Sequence, residues 1–219
     1  MTHRLLVIAG AGPGISLATA RRFGAEGFAV ALIGRREESL RALQAGLQES
    51  GIRVLIRVAD CANETQLAEA LQEIQAEAGP ATALLYNAAN IKWKNLLDDT
   101  AGALIADFAV NVAGALTAAK AVLPGMRAAN EGLLLFTGST FAEHPVPSFG
   151  SLSIGKAGLR NLSHGLAQSL RDTAIRVHYL NVNGRVTVDD PARSPQKIAE
   201  RCWELHQAGD PAPAVDVSI

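Results

Sequence analysis

Short apolar runs alternate with longer helical segments along almost the whole chain, and this alternation limits the fold more than any other feature. The run at residues 5–9 is apolar throughout, which is typical of a parallel strand covered on both faces. Further strands are predicted at 29–33, 53–58, 83–86, 133–137, 175–182 and 215–219. Helices are predicted between them at 15–26, 37–49, 64–78, 100–127, 149–171 and 194–207. Strictly alternating strands and helices predict an α/β fold with a doubly wound parallel sheet, in a single domain that spans residues 1–219.

Two prolines bear on where these helices begin and end. Proline lacks a backbone N–H, so a first helical turn tolerates it and a helix interior does not. We therefore expect Pro124, followed by Gly125, to disturb the end of the helix at 100–127. Pro195 is expected in the first turn of the helix at 194–207.

The composition argues against several functional classes. The chain of 219 residues has a net charge of −1, and its Lys and Arg are dispersed. It has no basic stripe that would indicate binding to nucleic acid, and no polybasic or lipidation signal that would indicate a membrane. Residues 101–119 imitate a membrane span, but Asp107, Asn111 and many small residues favour a buried helix. Cys61 and Cys202 have neither disulfide-framework nor metal-ligand spacing, which predicts reduced thiols in a cytoplasmic protein.

A glycine-rich turn separates the first strand from the first helix. Gly10, Gly12 and Gly14 let backbone N–H groups approach a pyrophosphate closely, and the following helix N-terminus adds a partial positive charge. Pro13 and Ile15 complete the turn and begin the helix. The strand before the turn and the helix after it favour a dinucleotide site of the Rossmann type, with a simple tight turn as the alternative.

The residues after the second strand bear on which dinucleotide binds. NAD-specific folds of this type place an acid there to bind the ribose 2′-hydroxyl, whereas this chain has Gly34. Arg35 and Arg36 follow, and a cation suits a 2′-phosphate, so NADP(H) is the predicted cofactor. The alternative is a pair of solvated arginines at a helix start, where the helix dipole slightly disfavours them.

Several motifs, in an order that covers nearly the whole chain, resemble those of the short-chain dehydrogenase/reductase family. The glycine turn resembles that family's GxxxGxG, with Gly10 and Gly14 matching. Ser16 stands in place of the third glycine, which implies only a slight adjustment of the packing between helix and strand. The other matching segments are Asp60-Cys61 after the third strand, Tyr86-Asn87-Ala88-Ala89 in place of the family's NNAG, Val110-Asn111-Val112-Ala113-Gly114, and Asn183-Gly184 in place of Pro-Gly.

The resemblance implies where the cofactor lies. In that family the aspartate after the third strand contacts the adenine amino group, and the NNAG segment closes over the adenosine ribose. The implied cofactor-binding residues are Gly10, Gly12, Pro13, Gly14, Ile15, Arg35, Arg36, Asp60, Cys61, Asn87, Ala88, Ala89, Lys156 and Gly184.

The resemblance also implies a catalytic set for carbonyl reduction or alcohol oxidation. Ser139 matches the serine that binds the substrate oxygen, Lys156 the lysine that lowers the pKa of a catalytic tyrosine, and Asn111 the asparagine that supports a proton-relaying water. The tyrosine belongs thirteen residues after the serine and four before the lysine, where this chain has Leu152. Leucine neither donates nor accepts a proton. The chain is thereby identified as an atypical member that lacks the catalytic tyrosine.

Few other groups are candidates for the missing acid. His144, in the loop after the serine, is the most plausible replacement because imidazole titrates near neutral pH, with a solvated loop histidine as the alternative. The chain has two tyrosines. Tyr86 is expected near the cofactor path, and Tyr179 is expected in the core of the sixth strand.

Three functions are compatible with these residues. The first is an NADP(H)-dependent oxidoreductase that acts on a small carbonyl or alcohol substrate with an unusual acid. The second is a catalytically weak or inactive NADP(H)-binding protein, acting as a redox sensor or partner subunit. The third is an assembly scaffold, against which Arg35, Asp60, Asn87 and Lys156 argue, because a scaffold needs none of that chemistry.

The sequence also bears on the substrate pocket and on assembly. Residues 185–194 form a short segment, which predicts a small lid and an open pocket. Trp203 and His206 are candidates for lining this pocket, with a packed aromatic and a surface histidine as the alternatives. In the short-chain dehydrogenase/reductase family, which the chain resembles, long helices at the position of residues 101–119 form the dimer faces. The resemblance therefore implies a homodimer or homotetramer. A single helix buried against the sheet is the alternative.

Overall fold

Seven strands form one sheet in the computed structural model, which describes residues 4–208 and 214–219. The strands are β1 (Leu5–Ala9), β2 (Ala29–Gly34), β3 (Val54–Val58), β4 (Ala83–Tyr86), β5 (Gly132–Thr137), β6 (Ile175–Asn181) and β7 (Asp216–Ser218). All neighbours pair in parallel, in the order β3-β2-β1-β4-β5-β6-β7. The predicted doubly wound parallel sheet is therefore confirmed. Residues 1–3 and 209–213 of the predicted domain lie outside the described residues.

Helices cover both faces of this sheet. The α-helices are α1 (Ile15–Gly24), α2 (Glu37–Gln48), α3 (Glu64–Ala78), α4 (Ala101–Phe108), α5 (Gly114–Ala129), α6 (Gly150–Ser169) and α7 (Pro195–Gln207). Helices α1, α2 and α7 contribute to one apolar layer, and α3, α5 and α6 contribute to the other. Strand β1 shows the division: Leu5 and Val7 face the second layer, whereas Leu6 and Ile8 face the first. Because successive side chains of a strand point to opposite faces, a strand between two layers is apolar at every position.

Side-chain caps determine where several helices begin. Asn63, Thr100 and Ser194 each accept a hydrogen bond from a backbone N–H of the first turn of α3, α4 and α7, respectively. Pro195 lies in the first turn of α7, as predicted. The predicted helix starts therefore agree with the structure to within one residue where such a cap is present.

The helix predicted at 100–127 differs from the structure in two ways. It is divided into α4 and α5, because a π-helical turn, Ala109–Ala113, lies between them. The prediction that Pro124 disturbs its end is wrong, since α5 continues past Pro124 to a left-handed cap at Asn130 (φ 46°). Pro124 and Lys120, one turn earlier, are both exposed, so water can reach the carbonyl that lacks an N–H partner.

The helical segment Ala101–Ala129 is the one described helix that is long and apolar enough to cross a membrane, judged by length and composition alone. The prediction of a buried helix holds for one face of α5 but is wrong for α4, whose only buried residue is Asp107. Ile105 is 70% exposed, and Phe108 and Leu116 are each 41% exposed. This segment therefore leaves an apolar face uncovered in the single chain.

The strand order reverses between β1 and β4, and this reversal positions the candidate site. The chain goes from β1 to β2 on one side, and β4 lies on the other side of β1. In open α/β sheets, a crevice forms beyond the carboxyl ends of the strands at such a reversal. Gly10, Arg35, Ala59 and Asn87 directly follow β1, β2, β3 and β4, so these residues lie at the crevice.

Candidate cofactor and catalytic site

The first residue of the glycine turn must be glycine for two reasons. Gly10 has a φ of +84°, a conformation that L side chains rarely adopt. A Cβ there would also collide with the backbone N and Cα of Ala88, beyond β4. The N–H groups of Gly10 and Ala11 donate to the carbonyl of Ile33 at 3.0 and 2.9 Å, which ties the turn to the end of β2. Gly10 thereby brings the loops after β1 and β4 into direct contact.

Ser16 stabilises this contact through its hydroxyl. It is 1% exposed, and its Oγ donates to the carbonyl of Gly10 at 3.1 Å. The Nδ2 atom of Asn87 donates to the same Oγ at 2.9 Å. The serine that replaces the third glycine therefore joins the turn to the residue after β4, a role that spacing alone did not predict.

The remaining turn residues leave the start of α1 open. Gly14 is the N-cap of α1 and supplies no side-chain cap. The N–H of Leu17 donates to the carbonyl of Gly12 at 3.1 Å, whereas those of Ile15 and Ser16 have no partner among the described residues and can bind an anion. A Cβ at Gly12 or at Gly14 would meet nothing within 4 Å. Pro13 is exposed and Ile15 is half-buried at the same end of the helix. These four residues could hold a pyrophosphate.

A cavity of about 490 Å³ lies beside this turn, at the carboxyl ends of β1 to β4. Its lining brings together eight of the predicted cofactor-binding residues, which are Gly10, Arg35, Arg36, Asp60, Cys61, Asn87, Ala88 and Ala89. The lining also includes seven residues that the sequence analysis did not single out for this role: Ala11, Gly34, Ser39, Leu40, Ala59, Asn90 and Val110. The predicted residues Gly12, Pro13, Gly14, Ile15, Lys156 and Gly184 are not among the lining residues. The cavity has the position expected for the adenosine half of a dinucleotide.

Both arginines at this cavity are free of anionic partners in the described chain. Arg35 and Arg36 are exposed, and their side chains make neither a hydrogen bond nor an ion pair among residues 4–208 and 214–219. By contrast, Arg41 pairs with Glu37, and Arg57 pairs with two glutamates of α3. The guanidinium groups at the cavity are therefore available to an anionic ligand.

Residues after β3 form the far wall of the cavity. The Oδ1 atom of Asp60 accepts a hydrogen bond from the backbone N of Ala62 at 3.0 Å, which leaves Oδ2 without a protein partner among the described residues. Burial raises the pKa of the Cys61 thiol to about 11, so the thiol is protonated at neutral pH. A Cβ at Gly114 would collide with the carbonyl oxygen of Cys61, so a glycine there allows α5 to approach the cavity wall.

Neither tyrosine offers a free phenol to the site. The Oη atom of Tyr86 donates to the carbonyl of Val110, and burial raises its pKa. The Oη atom of Tyr179 donates to the carbonyl of Ser139 at 3.0 Å and accepts from its backbone N at 2.9 Å. Tyr179 thus has the predicted core role, and it fixes the backbone of the predicted catalytic serine.

The side chain of Lys156 reaches the end of β5, shortly before Ser139 in the sequence. The Nζ atom of Lys156 donates to the carbonyl of Thr137 at 2.5 Å, and Thr137 lies two residues before Ser139. The Oγ atom of Ser139 accepts from the backbone N of Phe141 at 3.3 Å, and its proton has no acceptor among the described residues. Lys156 is 8% exposed, and burial lowers its pKa to about 8.

Asn111 lies in the π-helical turn and faces the same region. It is 1% exposed, and its Oδ1 accepts from the backbone N of Asn90 at 2.8 Å. A Cβ at Gly155 would lie 2.7 Å from Asn111, which shows how closely α6 packs against this turn. The Nδ2 atom of Asn111 has no hydrogen-bond partner in the described part of the chain.

Leu152 is buried on α6, one turn before Lys156. It is 6% exposed, and its two neighbours Ser151 and Ser153 are buried as well. The hydroxyl of Ser153 donates to the carbonyl of Phe149 at 3.0 Å, one turn earlier. Position 152 therefore adds an apolar side chain to the helix face that carries Lys156.

Other predicted residues lie away from this centre. His144 is exposed, and its ring has no partner among the described residues. Gly184 is exposed after β6, with a φ of +111°. The suggestion that Trp203 and His206 line a pocket is wrong, because their rings pack with Phe23 of α1 at centroid distances of 5.1 and 5.6 Å. His206 is half-buried against this buried aromatic cluster and is not a surface histidine.

A buried carboxylate beside the site was not assigned a role from the sequence. Asp107 is fully buried on α4, where its Oδ1 accepts from Nδ2 of Asn90 and Nζ of Lys92, both at 2.6 Å. Burial acts to raise the pKa of Asp107, but hydrogen bonds from Lys92, Ser151 and Asn90 outweigh it and lower that pKa. The available signal was a lone acid within an apolar helix, which is costly unless it is paired.

Residues 4–201 match the short chain dehydrogenase family. Oxidoreductase asL5 of Sarocladium schorii is 32% identical over 181 residues, which cover 83% of this chain and 72% of the relative. Dehydrogenase/reductase SDR family member 4 of Sus scrofa is 30% identical over 185 residues, which cover 82% of this chain and 65% of the relative. The structure is also similar to that of a metagenomic short-chain oxidoreductase solved in complex with NADP, with a TM-score of 0.88 and 25% sequence identity. The superposition covers 99% of this chain and 96% of that protein.

These similarities agree with the geometry of the site. The family match includes the glycine turn, the arginines after β2 and the segment from Ser139 to Lys156. The chain spans 72% and 65% of the lengths of these two relatives. The match across residues 4–201, together with these identities, shows that the chain belongs to the short-chain dehydrogenase family.

Proposed function

We propose that this protein is an NADP(H)-binding oxidoreductase of the short-chain dehydrogenase/reductase type that acts slowly on a small carbonyl or alcohol substrate. Its site is atypical because Leu152 occupies the position of the proton-donating tyrosine. The observation that carries the proposal is one cavity lined by Gly10, by Asn87 and by two arginines that have no ion-pair partner among the described residues. A cytoplasmic location remains part of the proposal.

Arg35 and Arg36 support the choice of NADP(H). Both line the cavity, and neither is neutralised by an acid in the described chain. The 25% identical structural relative was solved with NADP, which agrees with this choice. The open N-terminus of α1 would bind the pyrophosphate, and Asp60 and Asn87 would face the adenosine.

The catalytic residues present would polarise the substrate carbonyl and hold the cofactor. NADPH, when bound, supplies the hydride. The hydroxyl of Ser139 is free to donate to a carbonyl oxygen, because its backbone is fixed by Tyr179 and its proton has no acceptor among the described residues. Lys156 and Asn111 lie on the facing elements, where Lys156 would contact the nicotinamide ribose, as the family implies.

A second function, an NADP(H)-binding protein that acts as a redox sensor or partner subunit, is favoured by one observation. Leu152 is buried, and the hydroxyls of Tyr86 and Tyr179 are occupied by backbone groups. A positioned general acid contributes about 10²–10⁴ in rate. Its absence raises the barrier by about 3–5.5 kcal/mol. Weak or undetectable reduction of ordinary ketones and aldehydes is therefore expected alongside NADPH binding.

Leu152→Tyr tests the proposed function directly. The variant should restore a phenol within reach of Ser139 and Lys156 and raise the rate of carbonyl reduction by at least tenfold. Leu152→Phe is the matched control, because it adds the same ring without the hydroxyl and should not gain activity. NADPH oxidation with a panel of ketones and aldehydes measures both variants.

Two results would contradict this account. Rapid turnover by the native protein would mean that another residue supplies the proton, and His144→Ala would then show whether the exposed histidine does so. A tyrosine variant that binds NADPH without gaining activity would favour the binding-protein function, because the pocket itself would then differ from that of active family members.

A further inference from the structure

Lys156 is an isolated cation in the interior of the protein. Its Nζ has one hydrogen-bond partner among the described residues, the carbonyl of Thr137, and it has no carboxylate partner. Burial is the only cause that lowers its pKa to about 8. Charged buried groups are usually paired, so an unpaired buried lysine calls for a functional explanation.

The titratable groups around α6 pair with one another or face solvent. The ion pairs are Asp107 with Lys92 and Arg160 with Glu143 and Asp216, and the ring of His164 hydrogen-bonds to Asp216. Tyr179 of β6 hydrogen-bonds to the backbone of Ser139, and His144 is exposed. No group on α4, on the π-helical turn, on β5 or on β6 compensates the charge of Lys156, within the portion of the chain that is described.

We propose that Lys156 is itself the proton donor for carbonyl reduction, in place of the hydroxyl that Leu152 cannot supply. This inference rests on the proposed function. Residues 152 and 156 are one helical turn apart on the same face of α6. Because residue 152 is a leucine, Lys156 is the first titratable side chain on that face. The hydrogen bond to Thr137 holds the ammonium group at the end of β5, two residues before Ser139.

Two buried polar atoms without a partner in the described chain lie on residues that contact Lys156 or its neighbour in the sequence. Thr137 Oγ1 and Asn111 Nδ2 are both buried and have no hydrogen-bond partner in the described chain. Thr137 also carries the carbonyl that binds Lys156, and Asn111 packs against Gly155, the residue before the lysine. A water molecule bound by either group would be a source from which the lysine regains its proton after each turnover.

The competing phenols are poorer proton donors in this site. Burial raises the pKa of Tyr179 to about 12 and raises that of Tyr86 as well. Their hydroxyls are also occupied, by the backbone of Ser139 and of Val110 respectively. A general acid works best when its pKa is near the operating pH, which favours the lysine.

The proposed step balances in atoms and charge. Hydride from NADPH forms a bond to the carbonyl carbon, the carbonyl π pair moves to oxygen, and that oxygen takes a proton from the Lys156 ammonium. The products are the alcohol, NADP⁺ and a neutral amine, which regains a proton from water. With a pKa of about 8, the lysine is about ten-to-one protonated at pH 7, so the acid form is available.

Single-turnover oxidation of NADPH by a carbonyl panel, measured from pH 6 to 10 at saturating NADPH, tests the inference. The native rate should fall about tenfold per pH unit above a midpoint near 8. Lys156→Arg keeps the positive charge but does not titrate in this range, and it should lose at least a hundredfold in rate while still binding NADPH. The ¹³Cε shift of Lys156, assigned by its absence in that variant, should titrate at the same midpoint.

The outcomes separate this inference from the proposed function. A native rate that stays flat up to pH 9.5, or an arginine variant within threefold of the native rate, would overturn the role of Lys156 and leave the proposed function intact. Native protein that binds NADPH without any single turnover would also overturn this role, and would support the binding-protein function. Native protein that fails to bind NADPH would overturn the proposed function and this inference together.

Discussion

Replacing Lys156 by methionine should stabilise the protein at neutral pH and should do so less as the pH rises. The side chain keeps its length but loses the charge. Burial lowers the pKa of Lys156 from 10.5 to about 8. At about 1.4 kcal/mol per pKa unit, holding the ammonium inside the fold costs about 3 kcal/mol. The methionine variant avoids this cost. Part of its gain in stability is offset, because the carbonyl of Thr137 loses its hydrogen-bond donor at a cost of about 1–3 kcal/mol.

The pH dependence of the difference is the more decisive quantity. Because the folded pKa is depressed, the cost is fully present below about pH 8, decreases as the pH rises, and is gone above the unfolded value of 10.5. The native protein should therefore gain about 3 kcal/mol relative to Lys156→Met between pH 7 and 10.5. The hydrogen-bond term cancels in this comparison.

Urea unfolding of the two proteins from pH 7 to 10.5 measures this difference. Lys120→Met is the matched control, since Lys120 is exposed on α5 and makes no ion pair among the described residues, and its effect should not vary with pH. A difference between native protein and Lys156→Met that stays within about 0.5 kcal/mol over the whole range would refute the reasoning, because a solvated lysine would give that result.

Two further variants test the turn and the apolar face. Gly10→Ala should abolish NADPH binding, because its Cβ collides with Ala88, whereas Gly27→Ala has a similar φ of +83° with open space around it and should retain binding in a fluorescence titration. Light scattering should show a homodimer or homotetramer. Ile105→Glu should dissociate this assembly, because Ile105 is 70% exposed on the apolar face of α4. Val188→Glu is the control and should not dissociate it, because Val188 is 72% exposed but lies outside that face. A native monomer at micromolar concentration would reject this assembly.

Most of the fold could be predicted because its signals are local. The apolar run of β1 and the position of Pro195 in the first turn of α7 are readable from neighbouring residues, and both agree with the structure. The π-helical turn at 109–113 could not be predicted, since Asn111 there is held by a backbone N–H of Asn90, 21 residues earlier. Such a contact exists only once the loop after β4 has reached the helix.

The candidate site shows the same limit. The glycine turn and the arginines after β2 were predicted from their position between a strand and a helix, and the cavity brings several of them together. The pairing of Asp107 with Lys92 was not predicted, because it joins a loop to a helix 15 residues later. Trp203 was offered as a pocket residue, whereas the sequence does not show that this face of α7 packs against Phe23 of α1.

Parallel titrations with NADPH and NADH test the central claim most directly. A charge-assisted hydrogen bond from Arg35 to the 2′-phosphate is worth about 1.5–3 kcal/mol, or roughly ten- to a hundredfold in affinity. The account predicts that NADPH binds tighter by this factor and that Arg35→Ala removes the preference without weakening NADH. Equal affinity of the native protein for both cofactors, or tighter binding of NADH, would contradict it.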